Sequence, residues 1–200
     1  MSRKRKRGVF CIEGDWWNDF NRTSTVKPIL DLLSQSGDGA VPVVHRDAGT
    51  FEELKFYCEK WVQGNGARYP ILYLAFHGRE NCIFVGDQRK TESVVTLDKL
   101  ADILGPEAFG RVVHFGSCST LNTDRRNIQR FLKRTGLVAV TGFKEEVDWL
   151  YSAVFDVILL DILTRRAMNR KGMGAARQRL LNEHGSMCKK LDFRMEIRED

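Results

Sequence analysis

Two residues carry the strongest chemical signal in the 200-residue sequence. His77 closes the run Tyr73-Leu-Ala-Phe-His-Gly78, and Cys118 sits in Val112-Val-His-Phe-Gly-Ser-Cys-Ser119, 41 residues later. Each follows an apolar stretch with the look of a strand. A thiol attacks well only as the thiolate, and an imidazole beside it supplies the base. If the two strands are neighbours, both side chains fall at one edge of one sheet. Gly78 follows the histidine and Gly116 precedes the cysteine. Glycines there let backbone approach a substrate closely, so the amides of Gly78 and Cys118 are candidates for holding a developing oxyanion.

The elements that would position these residues alternate between strand and helix patterns. Strands are expected at 8–12, 41–44, 70–76, 111–115, 137–142 and 189–195. Pro42 suggests an edge position for the second. The third is apolar on both faces, as in a central strand covered on each side. A small hairpin is expected at 82–85. Helices are expected at 24–35, from Thr50 to about Gly64, and at 97–104, 124–134, 147–166 and 173–184. Thr50 with Glu53 has capping-box spacing, and Thr96 is the expected cap of the third helix. Such alternation implies βαβ units and a mainly parallel sheet with helices on both faces. Active residues then sit just past the carboxyl ends of the strands. That rule selects Glu13 to Asp15, His77-Gly78, Gly116 to Ser119 and Thr141-Gly142.

Composition narrows the partners. The net charge is +6, but residues 3–7 are five consecutive positives, and without them it is +1. Removing also the six arginines and lysines of 165–179 takes it to −5. The positive charge is local, so nucleic acid is an unlikely partner, and the expected organisation is a basic tail at 1–7 and one domain at 8–200. No apolar run reaches the roughly 18–20 residues that span a bilayer; the stretch Trp149 to Leu163 is broken by Asp156 and Asp161. The five cysteines are odd in number, widely spaced and lack a C-x-x-C pair, which argues against a disulfide framework or a cysteine zinc site and fits a cytoplasmic location. Of these cysteines, Cys11, Cys58 and Cys82 read as packed side chains. His114 reads as a core residue. Trp16-Trp17 reads equally as a pocket wall or as a cover over the sheet's end.

"YLAFHG" followed by "VVHFGSCS", each at a strand end, resembles the caspase-like cysteine peptidases, a group that includes caspases, metacaspases, gingipain- and clostripain-like enzymes and the bacterial CHAT proteases. The resemblance spans roughly 8–197. It implies a three-layer α/β fold with about six strands, His77 as general base or orienting group, Cys118 as nucleophile, and Gly78 with the Cys118 amide as oxyanion hole. It implies no metal or organic cofactor, a peptide or protein substrate, and a possible regulatory protein partner. Gly116 and Ser117 stand where metacaspases carry an aspartate. Ser119-Thr120 follow the cysteine where caspases continue Gln-Ala-Cys-x-Gly, and small hydroxyl residues there are closer to the CHAT style. Glu13 and Asp15 are candidates for a pocket that takes a basic substrate side chain. Two other readings compete: a non-catalytic binding or sensor module on the same sheet, and a flavodoxin-like phosphate-binding domain. The last is disfavoured because no Gly-rich phosphate loop occurs.

Overall fold

The computed structural model describes residues 6–17, 21, 24–64 and 67–199. Of the expected basic tail, residues 1–5 lie outside the described residues. Lys6 and Arg7 are docked on the domain. The Lys6 ammonium bonds the Gly39 carbonyl and, at 2.9 Å, Asp161, and the Arg7 amide donates to the Thr164 carbonyl.

The elements in chain order are β1 (Val9–Glu13), α1 (Lys27–Ser34), β2 (Val43–Asp47), α2 (Phe51–Gln63), β3 (Ile71–Ala75), β4 (His77–Arg79), β5 (Cys82–Phe84), β6 (Val94–Thr96), α3 (Leu97–Leu104), β7 (Val112–Phe115), α4 (Arg125–Thr135), β8 (Ala139–Phe143), α5 (Trp149–Thr164), α6 (Arg170–Lys190) and β9 (Phe193–Ile197). Six strands form the main sheet in the order β2-β1-β3-β7-β8-β9. All pairings are parallel except β8 with β9. β2 is an edge strand, as Pro42 suggested.

Side-chain alternation explains the three layers. On β3, Ile71, Tyr73 and Ala75 face one core with Leu30 and Leu33 of α1, Phe155 and Leu159 of α5, and Met173 and Leu180 of α6. Leu72 and Leu74 face the other core, built with α2, α3 and α4. A strand covered on both faces has no polar side to spare, which is why β3 reads as continuous apolar sequence. The capping box at Thr50 and Glu53 is present, and the Thr96 side chain accepts the Lys99 amide.

Several boundaries differ from the sequence expectation. β2 starts at Val43 and runs to Asp47, and the final strand starts at Phe193. α6 continues to Lys190 across a non-helical His184 and absorbs residues whose alternation had read as strand. The expected hairpin gains a third strand: β4, β5 and β6 form a small antiparallel sheet.

The order of the main sheet matters for the site. The chain leaves β1 toward β2 on one side, then returns to place β3 on the other. Between β1 and β3 the connections diverge, and crevices form at such switch points beyond the carboxyl ends of the strands.

Candidate active site

β3 pairs directly with β7, with Leu74 opposite Phe115, so the segments that leave them travel side by side. Phe76 and His77 extend one; Gly116, Ser117 and Cys118 extend the other. Both His77 and Cys118 line one cleft of about 160 Å³. Trp16 and Trp17, from the loop after β1, complete its wall beside Trp149 from the start of α5. The cleft therefore occupies the switch point.

The histidine is held by backbone. Its Nε2 lies 2.5 Å from the Trp16 carbonyl oxygen. A carbonyl only accepts, so Nε2 carries the proton and the neutral ring keeps Nδ1 as its basic atom. The Trp16 and Trp17 rings meet the imidazole edge-on, with centroids 5.3 and 6.0 Å away.

The cysteine turn is packed against the histidine's strand. A Cβ at Gly78 would stand 2.3 Å from Thr120 Oγ1 and 2.7 Å from the Cys118 carbonyl oxygen, distances no side chain tolerates. Gly78 is the residue that lets the two segments touch. Thr120 Oγ1 meets Ser117 Oγ at 2.7 Å and donates to the Cys82 carbonyl, which ties the turn to β5. Ser119, directly after the cysteine, has φ of 55°, a left-handed conformation uncommon for a residue with a side chain. Its amide bonds the Glu145 carbonyl and its carbonyl takes the Asn122 amide, so the surroundings hold the strained turn in place. Cys118 is half-buried, whereas Cys11, Cys58, Cys82 and Cys188 are buried. Burial pushes the Cys11, Cys58 and Cys188 thiols up, which makes them poor nucleophiles.

Beneath the cleft lies a polar network that the sequence did not reveal. Tyr73 donates its hydroxyl to Asp156 Oδ2 at 2.7 Å, and His114 Nε2 meets Asp156 Oδ1 at 2.9 Å. His114 Nδ1 meets Thr141 Oγ1 at 3.0 Å, and the Tyr73 and His114 rings stack at 5.0 Å. All four residues are buried, yet Tyr73 and Asp156 also line the cleft. Burial first, then the Asp156 charge, pushes the Tyr73 hydroxyl well above its ordinary value, so it stays a donor. The available sequence signal was Asp156, one of two aspartates in the largely apolar α5.

Glu13 and Asp15 do not line this cleft. They border a separate recess of about 300 Å³ on the far side of Trp16. Glu13 is 2% exposed, and its carboxylate is fully engaged. Oε1 takes the Trp16 indole N–H at 2.6 Å and the Val26 amide at 2.7 Å; Oε2 takes the Thr25 hydroxyl and His45 Nε2, each at 2.7 Å. Burial alone would raise this carboxyl, but the four bonds outweigh it and hold it below its ordinary value. Asp15 is exposed and caps the Trp17 amide. The acidic pair therefore shapes the tryptophan loop and lies outside the cleft of His77 and Cys118. Among the described residues, Glu13, His45 and Asp47 form the group able to offer three metal ligands, all within 4.8 Å of one another. The donors already on Glu13 make it a closed hydrogen-bond knot. A larger recess of about 490 Å³, between α2 and α3, is lined by residues that include Lys55, Glu59, Lys99 and Asp102, with no cysteine, serine or threonine among them.

The profile of a family of unknown function, DUF6642, matches residues 6–196. The chain belongs to the DUF6642 family. A search of curated proteins returns no match. Among solved structures, the fold of this DUF6642 protein is similar to that of caspase-1 from Spodoptera frugiperda, with a TM-score of 0.50 and 11% identity over 90% of this chain and 80% of that one. The three-layer α/β architecture is thus caspase-like. No helix among the described residues is long and apolar enough to cross a membrane.

Proposed function

We propose that the protein is a cysteine endopeptidase that hydrolyses peptide bonds through Cys118 and His77. The observation that carries this reading is the His77–Trp16 bond. It leaves Nδ1 as the ring's basic atom in a cleft that Cys118 also lines. In the reaction, the Cys118 thiol proton passes to His77 Nδ1 as sulfur attacks the scissile carbonyl. The amides of Gly78 and Cys118 stabilise the oxyanion. The imidazolium then protonates the departing amine, leaving a thioester. Water, deprotonated by the same nitrogen, releases the acid and restores the thiol. The substrate is a peptide or protein, and a regulatory protein partner is part of the proposal. A cytoplasmic location belongs to the same proposal, supported by five free thiols, four of them buried, which suit a reducing compartment.

A fluorogenic peptide panel tests the reading. Cleavage is expected in the wild type and is expected to vanish in both Cys118→Ala and His77→Ala. Cleavage that survives Cys118→Ala ends the assignment. Iodoacetamide kinetics at about pH 6 add a second readout: Cys118 is expected to alkylate faster than a free thiol. An ordinary rate combined with a silent panel assigns the cleft to binding.

A further inference from the structure

α5 is apolar nearly all the way round, the composition of a helix covered on every side. Its inner side is covered: Phe155, Leu159, Leu160 and Leu163 belong to the core. Its outer side is not. Leu150, Tyr151 and Val154 are 67%, 46% and 47% exposed, and Val157 and Ile158 after them are half-buried. None of these five lines the cleft of His77 and Cys118, to which α5 contributes Trp149, Ser152, Ala153 and Asp156. The outer stripe is therefore a surface of its own. Leu150, Val154, Val157 and Asp161 follow one another at intervals of four, three and four residues, the seam along which one helix packs on another. The two ends of that stripe differ in charge. The segment leading into α5 carries Glu145, Glu146 and Asp148, all exposed and in no ion pair among the described residues. The cations beside them are engaged, Lys144 with Asp192 and Lys190 over the Tyr151 ring. At the other end Asp161 is answered twice, by Lys6 at 2.9 Å and by Arg165 at 2.8 Å. Arg166 follows, with a buried Nε that has no hydrogen-bond partner, and the Arg7 backbone is bonded to Thr164. The α5 dipole favours this placement of charge within one chain, but it asks for no exposed apolar stripe between the two ends.

We propose that the outer face of α5 is the contact between two copies of this chain, paired through antiparallel α5 helices about a two-fold axis at the level of Asp156. A surface that is acidic at one end, basic at the other and apolar between them fits its own reverse, which is the condition for an isologous contact. Val154 of each copy then faces Ile158 of the other. The same register brings Glu145, Glu146 and Asp148 of one copy level with Thr164, Arg165 and Arg166 of the second, because each pair is centred on the axis. α5 has 16 residues and is about 24 Å long, so its ends are too far apart to cancel each other's charge within one chain. A parallel pairing would bring like charges together at both ends and is disfavoured.

Sedimentation velocity on the full chain, from about 1 to 100 µM, tests the pairing. A reversible dimer of twice the 23.0 kDa chain mass is expected, with a Kd on the order of 10 µM. Val154→Glu is expected to weaken it about a hundredfold. Leu150→Lys is expected to do the same and decides the matter if Val154→Glu fails to fold, which circular dichroism reports. The register is tested by charge exchange. Glu145→Lys/Glu146→Lys protein and Arg165→Glu protein are each expected to self-associate about tenfold more weakly than the wild type, because like charges then meet at both ends. Mixed together, the two are expected to pair at wild-type strength, because opposite charges meet again. A chain that stays monomeric at about 100 µM leaves the face to another partner and overturns the proposal. A dimer indifferent to both folded apolar-face variants puts the contact elsewhere and also overturns it. A dimer lost in those variants but not restored by mixing the charge variants overturns the antiparallel pairing.

Discussion

Two places toward the carboxyl edge of the main sheet gather a histidine with an ionisable partner, and they are built in opposite ways. At the last residue of β1 and the middle of β2, Glu13 and His45 form a knot in which four donors converge on one carboxylate. After β3 and β7, His77 and Cys118 share a cleft in which only one ring nitrogen is spoken for. The knot spends its polar atoms on the protein. The cleft keeps a basic nitrogen and a half-buried sulfur for something else. Position at a strand end selects Glu13 as readily as His77; the hydrogen-bond accounting tells the two places apart. The two are also linked, because Glu13 holds the Trp16 indole while the Trp16 carbonyl holds His77. One builds the wall that aims the other.

The largest expected effect that breaks the contrast comes from Gly78→Ala. The new methyl has to displace Thr120 or the Cys118 carbonyl, and either movement carries the nucleophile with it. A displacement on the order of 1 Å costs about a hundredfold in rate. Peptide cleavage is therefore expected to fall about a hundredfold in kcat/KM while the protein still folds. A variant with full activity would show that the cysteine turn does not depend on contact with the histidine's strand.

Much of this layout is legible in the sequence, and the reasons are specific. Thr50 with Glu53, Pro42 and the doubly apolar β3 each express a local rule, and the structure obeys all three. His77 and Cys118 were legible because they end strands that prove adjacent. The third ligand of the arrangement was not, because the Trp16 carbonyl is backbone, and any residue type supplies one. Asp156 read as an interruption in an apolar helix. Its partners Tyr73 and His114 lie 83 and 42 residues away, and only the packed sheet brings them together. The apolar face of the same helix reads from the sequence as core. Its first turns instead expose Trp149, Leu150, Tyr151 and Val154, where α5 emerges beside the cleft. Glu13 lies in the expected neighbourhood, but its carboxylate is spent on the tryptophan loop, and residue type alone cannot show which acceptors are already occupied.

The next largest effect sharpens the knot as a structural device. Glu13→Gln keeps the shape but presents an amide nitrogen to donors. It is expected to cost about 2 kcal/mol in urea unfolding at neutral pH. The acid limb gives an independent reading. The folded carboxyl lies below its ordinary value of 4.5, so the stability it contributes is complete above 4.5 and is lost as pH falls through the folded value. Wild-type stability is expected to decline through that window, and the difference between wild type and Glu13→Gln is expected to shrink there. A constant difference down to about pH 3 would mean the carboxylate charge is not what the knot uses.

The smallest effect tests whether the knot is shared or hinges on one bond. Thr25 Oγ1 donates to Glu13 Oε2 at 2.7 Å and accepts the Lys27 amide at 3.1 Å at the start of α1. Thr25→Val removes both contacts at an exposed position and leaves three donors on the carboxylate. The expected cost is about 1 kcal/mol, measured as a shift in the urea midpoint. With one donor gone, the folded Glu13 carboxyl rises toward its ordinary value, so the acid limb of stability moves to higher pH. The Trp16 indole still bonds Oε1, and its carbonyl still takes the His77 proton, so the alkylation rate of Cys118 is expected to stay unchanged. A loss as large as that of Glu13→Gln would place the whole knot on one hydroxyl. A slowed Cys118 would show that the wall transmits strain to the cleft, and the two regions would then have to be treated as one.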